Sequence, residues 1–482
     1  MYLKHIFRLI SVMLMFFSFS MLPPLVINFI YHEPNHPYFL SSFAITFFLG
    51  AALWFVCRKA NKEIQIHDGF LMVVIFWALL CCFATLPFLL ILNHQISWLD
   101  MFFECVSGLT TTGVTVFSYP ENLPKGLLYY RQQLQFLGGM SIIVLTVAIM
   151  PVLGIGGTRL YRTETPGALK DTKFTPRITQ TAKALWSVYL LLTLSCIVLL
   201  MVVGLNWFDA ICETFATIST GGLMSHHDGF AYYHDSKIEW LVPLFMLGGS
   251  INFGSHYLAL KKKNLYAYWV EEEFRYFIFT IILAFLIACF IFFHHYQNFS
   301  LTQLRQLYFT VISLISSTGS VCTDYTSWPL GLLFMLIVIS LFGGCHGSTA
   351  GGLKIIRILI VSKFYNREMK VLLHPQLISP IKYNNKPLDH NILFSIFAFI
   401  MTFISLYAVL IFLMLLADND FISSIAIVTS TLSNSGIGFG KIAISYENIN
   451  DLTKAISIIA MIAGRLEIFS LFIVFSAAYW KD

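Results

Sequence analysis

Charge is scarce in this chain. Lys, Arg, Asp and Glu make up only 11% of its 482 residues, against roughly a quarter in soluble domains. That shortage excludes a soluble globular protein, and no hydrophilic stretch is long enough for a separate soluble domain. Paired cysteines are also missing. The nine Cys are scattered through apolar segments with no CxxC and no Cys/His spacing, so neither a disulfide framework nor a zinc site is supported. They read as small buried hydrophobes. HExxH, GxSxG and GxxxxGK[ST] are absent, and no Ser, His and carboxylate gather at one depth. A membrane enzyme, the reading from another class, therefore has no motif to rest on, and nothing points to nucleic acid. Histidines 226, 227, 294 and 295 come in pairs but without a third metal ligand, and read as solvated loop residues.

What is abundant is apolar surface: 57% hydrophobic residues and a mean hydropathy of +0.75. Runs of about 20 residues, enough to cross a bilayer, fall near 9–30, 38–57, 69–92, 127–150, 185–205, 239–260, 276–296, 329–362, 389–416 and 452–478. The first is too long for a signal peptide, and Pro23-Pro24 occupies the place of a cleavage site, so it reads as a retained helix. Four shorter segments, near 98–109, 207–217, 303–316 and 421–432, reach about halfway across at ~1.5 Å per residue. Each follows a polar starter: Trp98-Leu99-Asp100, Trp207-Phe208-Asp209, Thr302-Gln303 and Asp418-Asn419-Asp420. Three of these place Asp at a helix N-terminus, where the dipole favours it. Each half-helix ends in hydroxyl residues and a glycine.

The expected fold is thus an all-α polytopic membrane protein of about ten transmembrane helices. Two leading helices (1–67) precede four units of helix, half-helix, loop and helix (68–184, 185–275, 276–388 and 389–482). The positive-inside rule orients it. Twenty-three of 30 Lys and Arg fall on the side of the N-terminus, which becomes cytoplasmic with a net +13, while the outer face sums to −8. Both termini then lie in the cytoplasm. An acidic outer face gathers cations; the alternative reading is that acids are simply tolerated there.

The loops read Thr110-Thr111-Thr112-Gly113, Ser219-Thr220-Gly221-Gly222, Ser316-Ser317-Thr318-Gly319 and Ser433-Asn434-Ser435-Gly436. A potassium ion shedding water needs several neutral oxygens, and rings of backbone carbonyls on re-entrant loops supply them. Glycine lets successive carbonyls turn to the axis, and the negative ends of the half-helices favour a cation. The expected filter is Thr111, Thr112, Gly113, Ser219, Thr220, Gly221, Ser317, Thr318, Gly319, Asn434, Ser435 and Gly436, with a monovalent cation, potassium by the resemblance given next, at Thr111, Thr112, Thr220, Thr318 and Asn434. One Ser/Thr-Gly pair would be an ordinary C-cap. Four, each after a half-length helix on one side, form a pattern.

With these loops, Leu134-Gln135-Phe136-Leu137-Gly138-Gly139-Met140, Pro166-Gly167 with Thr175-Pro176-Arg177, the run from Gly343 to Lys354, and Gly464-Arg465-Leu466-Glu467-Ile468-Phe469, the chain resembles a bacterial TrkH-type subunit of the Trk/Ktr/HKT potassium transporters over essentially its whole length. The resemblance implies a fourfold pseudosymmetric monomer in the bacterial inner membrane, a homodimer, and a TrkA-type cytosolic ring binding NAD or ATP. Nucleotide would act only through that partner, with no covalent cofactor on this chain. Glycine in all four filters goes with potassium preference, and sodium-transporting relatives carry serine at the first, here Gly113. Ile437, Ser320 and His346 depart from the family's usual residues.

Two features bear on flow. The glycine-rich run 343–352, with Gly343, Gly344, Gly347, Ser348, Thr349, Gly351 and Gly352, interrupts a helix near mid-membrane, where freed backbone needs a wet cavity or protein partners. It reads as a gate beneath the filter, or as a plain kink. Arg465 is the basic residue deep in a span, at a cost of ~2.5–3.5 kcal/mol on insertion scales. It reads as an electrostatic barrier working with the loop, or as half of an ion pair. The rival function is a proton- or sodium-coupled symporter, which would hold a free mid-membrane carboxylate; Glu467, beside Arg465, is the deep acid in this reading. The basic loops 157–184 and 354–386 could dock a cytosolic partner or be ordinary positive-inside loops.

Overall fold

The computed structural model describes residues 3–59, 66–93, 95–152, 178–296, 300–377, 379–443, 445–477 and 479–480. Pro166-Gly167, Thr175-Pro176-Arg177 and positions 157–177 of the first basic loop lie outside them. The structure is mostly helical. Among the described residues the strands are confined to a two-residue hairpin, Lys382–Tyr383 with Lys386–Pro387. Its link, Asn384-Asn385, has φ of 46° and 62°, the left-handed pair that a tight hairpin turn takes and Asn tolerates.

Among the described residues six helices are long and apolar enough to cross a bilayer: Lys4–Ile30, His36–Cys57, Asp68–Leu92, Ala182–Val203, Glu272–Tyr296 and His390–Leu416. Phe16, Phe48, Val202, Phe290, Phe334 and Phe394 each expose two thirds or more of their surface, which suits contact with acyl chains. The first span passes through a 3₁₀ turn, Phe19–Met21, into Leu22–Ile30. Pro23 and Pro24 thus fall in a first turn, where their missing N–H groups cost no bond. The third steps at Thr85, with Pro87 in the next first turn.

Four further segments expected to cross are of two kinds. Lys125–Val152 is one helix of 28 residues. The other three are broken: Ser236–Ser250 from Phe253–Lys262, Leu330–Phe342 from Ile355–Leu373, and Asp451–Arg465 from Phe469–Phe475, the last bent by 111°. The sequence marks only the middle break. At the first, Asn252 caps a new helix by accepting from Gly254 N at 2.7 Å. At the last, Glu467 and Ile468 take φ of 54° and 53°, a conformation costly for a β-branched residue.

The half-helices are Trp98–Leu109, Trp207–Ile218, Leu301–Ile315 and Phe421–Leu432. Side-chain oxygens cap all four. Ser97 accepts from Asp100 N, Asn206 from Asp209 N and Asp420 from Ser423 N. Ser300 and Gln303 form a reciprocal capping box, satisfying two otherwise orphaned donors. Their C-terminal halves are buried throughout.

Candidate functional site

Each half-helix ends in the same way. Its C-cap hydroxyl (Thr110, Ser219, Ser316 or Ser433) bonds back to a carbonyl one turn earlier. The next residue is left-handed: Thr111, Thr220, Ser317 and Asn434 have φ between 50° and 56°. The one after donates its N–H five residues back: Thr112 to Ser107 O (2.9 Å), Gly221 to Ala216 O (2.8 Å), Thr318 to Ser313 O (2.8 Å) and Ser435 to Ser430 O (3.0 Å). This is a Schellman closure with a non-glycine in the left-handed place, a choice that costs about 1–2 kcal/mol per site. The backbone then reaches a glycine of positive φ: Gly113 (86°), Gly222 (74°), Gly319 (74°) and Gly436 (65°).

The second loop therefore differs from its sequence reading by one residue. Gly222, not Gly221, matches Gly113, Gly319 and Gly436, while Gly221 matches Thr112, Thr318 and Ser435. Two adjacent glycines hide the register in the sequence, and the hydrogen bonds reveal it.

These glycines close a ring. A Cβ on Gly113 would overlap the carbonyl oxygen of Gly221, one on Gly222 that of Thr318, one on Gly319 that of Ser435, and one on Gly436 would press on that of Thr112. Each loop's glycine thus lies on the next loop's carbonyl, in order around four loops. The four carbonyls are equivalent, so they form one layer. Side-chain oxygens are mostly engaged. Thr112 Oγ1 lies 2.7 Å from Thr110 Oγ1 and accepts from Asn434 Nδ2 at 2.8 Å, Thr318 Oγ1 is 2.8 Å from Ser316 Oγ, and Thr220 Oγ1 donates to Thr349 Oγ1 at 3.2 Å. Thr111 Oγ1 and Asn434 Oδ1 are buried without a hydrogen-bond partner. On one side of the ring all four glycines border a cavity of about 90 Å³, together with Thr115, Arg131, His226, His227 and Tyr446.

Buried groups that the sequence reading passes over brace this ring. Glu104 and Glu213 are fully buried, each nine positions before its loop's positive-φ glycine. Glu104 accepts from Val116 N at 2.9 Å and from Arg131 Nε at 2.5 Å, and Glu213 from Ser225 N at 3.1 Å. Arg131 also donates to Met224 O at 2.6 Å, and Gln135 Oε1 accepts from Leu223 N at 2.8 Å. The matched offset could have exposed the glutamates, had the second loop been in register. Glu467 is thus not the sole deep acid. His226 is also not a solvated loop residue: it stacks on Tyr232 at 3.7 Å and lies 3.5 Å from Asp209.

The loop 343–352 lies against the other side of the ring. Thr349 Oγ1 reaches Ile218 O at 3.2 Å and Gly249 O at 3.0 Å, and Gly351 N donates to Ser317 Oγ at 2.7 Å. A Cβ on Gly351 would overlap Ser433 O. Three filter loops therefore touch it. Gly343, Gly347 and Gly352 have φ of 70°, 71° and 76°, and Ser348 Oγ donates to Cys345 O at 2.5 Å. Gly344 lies against Ser250. His346 N donates to Glu273 at 2.6 Å.

Arg465, 4% exposed, donates to Thr349 O (3.1 Å) and Gly138 O (2.7 Å), while its Nε is buried without a partner. No carboxylate pairs with it among the described residues. Glu467 instead meets Arg357 at 2.6 Å. The ion-pair alternative for Arg465 has no support in this geometry, and its guanidinium binds the loop's own backbone.

Half-length helices that enter and turn back, closed in a four-membered ring inside a belt of lipid-facing helices, define a polytopic membrane transport protein. The chain belongs to the TrkH family, described as cation transport proteins, whose pattern matches residues 35–482. It is 40% identical over the full length of both chains to the Trk system potassium uptake protein TrkH of Vibrio parahaemolyticus, and 38% identical, again over both full lengths, to that of Escherichia coli K12. The crystal structure of the potassium transporter TrkH from Vibrio parahaemolyticus superposes with a TM-score of 0.91, at 37% identity and full coverage of both chains. These relatives are named as transport proteins, not enzymes.

Proposed function

We propose that the chain takes up potassium across the bacterial inner membrane by channel-like passage through the ring of four loops. The observation that carries this reading is the layer of four equivalent carbonyls, Thr112, Gly221, Thr318 and Ser435, each pressed against a neighbouring glycine. A dehydrated monovalent cation finds neutral oxygens there, and the partly negative ends of four half-helices converge on it. Gly113 at the first loop accords with potassium, and the relatives' names agree.

The loop 343–352 and Arg465 form the gate in this reading. The loop lies under three filter strands, and the guanidinium places a fixed positive charge on its backbone. A homodimer and a TrkA-type nucleotide-binding ring, docking at the basic cytoplasmic loops, are the partners implied by family resemblance. Coupled symport finds no free carboxylate at Glu467, engaged by Arg357, or at Glu104, engaged by Arg131; buried Glu213, held by Ser225 and Tyr233 rather than by a cation, is the acid that reading would need.

Rubidium uptake into proteoliposomes, with and without a proton gradient, tests the reading. Uptake down the rubidium gradient and insensitive to the proton gradient is expected. Dependence on that gradient would establish coupling instead, and absence of any alkali-cation uptake would remove the transport function.

A further inference from the structure

The break at Ile251-Asn252 carries the gate on one side and a distinctive surface on the other. Phe253 N donates to Gly347 O at 3.1 Å, Cys345 N to Ser250 O at 2.8 Å, and Thr349 N to Gly249 O at 3.2 Å. From there the helix Phe253–Lys262 runs away from the loop and ends in Lys261, Lys262 and the left-handed Lys263, φ 49°. All three lysines are exposed. Leu265, Tyr266, Trp269 and Val270 follow, each at least half exposed.

Ammonium groups beside exposed aromatic and aliphatic side chains match the boundary between headgroups and acyl chains. The charge is of one sign. Arg275 is exposed nearby, whereas Glu271 turns inward to Ser255 at 2.5 Å, Glu272 is held by Lys363, and Glu273 by His346 N. No acid among residues 260–275 is left to repel anionic phosphate.

The elbow is also tied to its helix. His256 Nδ1 lies 2.8 Å from Tyr268 Oη, and the Ser255–Glu271 bond closes the same turn. Displacement of residues 263–271 is therefore passed to Phe253 rather than absorbed.

We propose that residues 260–270 form a binding surface for anionic phospholipid headgroups of the cytoplasmic leaflet, joined through the helix Phe253–Lys262 to the loop 343–352. This rests on the orientation and transport reading proposed above. Holding the elbow in the headgroups draws on Gly347 and competes with the contacts of Thr349 and Gly351 to the filter loops, so anionic lipid favours conduction.

The test uses the full chain in phosphatidylcholine alone and in phosphatidylcholine with phosphatidylglycerol. Hydrogen exchange in the stretch 260–271 is expected to slow in the anionic mixture, and to be unchanged by it in the K261Q/K262Q/K263Q variant. Rubidium flux of the natural chain is expected to rise about threefold, because lysines near an anionic surface are drawn to it, with the variant flat across both lipids. Equal exchange in both lipids would overturn the proposal. So would protection that appears only when a cytosolic subunit is added, which would mark a protein docking face. If the natural chain carries no flux in either lipid, the transport reading falls, and exchange alone decides the lipid contact.

Discussion

At the scale of single residues, Gly221 and Gly222 are chemically identical and structurally opposite. Gly222 has φ +74° and faces the Thr318 carbonyl, whereas Gly221 faces the Gln135 side-chain amide and lies outside the left-handed region. A side chain can shift where a backbone carbonyl in a closed ring cannot. Gly222→Ala should therefore lower rubidium uptake by about tenfold or more, as expected from 1–2 kcal/mol of left-handed strain plus a ring clash. Gly221→Ala displaces Gln135 Oε1 from Leu223 N rather than a ring carbonyl, so its loss should be smaller, about threefold. Paired uptake of rubidium and sodium checks this, and equal losses would remove the register. What the sequence hides here is narrow. Ser, Thr and Gly mark the loop, but which glycine lies on the ring depends on five-residue hydrogen bonds that no composition records.

Elements were legible where one cause acts locally. The half-helices announce themselves by a polar cap and half a bilayer of apolar residues, and the structure places their ends within two positions of that reading. The break at 343–352 is legible from its glycines. The breaks at Ile251-Asn252 and Leu466–Ile468 are not, because tertiary partners hold them: Asn252 caps onto Gly254, and Phe253 N meets Gly347 O. The loop 343–352 is held by Thr349 and Gly351 against the ring and by Arg465, which ties Thr349 O to Gly138 O. Thr349→Val removes a hydroxyl that reaches Thr220, Ile218 and Gly249 while keeping the side chain's shape. At about 1 kcal/mol net per hydrogen bond, the loop should release more readily and rubidium flux should rise severalfold. Arg465→Gln loses the bonds to Thr349 O and Gly138 O together with the charge, so its increase should be larger and its current–voltage relation straighter. Unchanged flux in both variants would reduce the loop to a structural kink.

For the whole molecule, orientation joins the loops to a direction of transport. Three of the four half-helices begin with an acid, Asp100, Asp209 or Asp420, and a cavity touches the four ring glycines. Lys261, Lys262, Lys263 and Lys370 lie at the far ends of the broken inner helices. The acidic and basic ends are thus separated by the ring, so a cation drawn to the acidic mouth meets the carbonyl layer before Arg465. If the basic end is cytoplasmic, exposed Ser236, at the start of the helix leading down from the second loop, faces outward, and exposed Gln376, beyond the helix Ile355–Leu373, faces the cytoplasm. A cysteine at Ser236 should react with a membrane-impermeant maleimide on intact cells, above the background of the native cysteines. A cysteine at Gln376 should react only after permeabilisation. The reverse pattern would turn the molecule over and make its acidic mouth an exit.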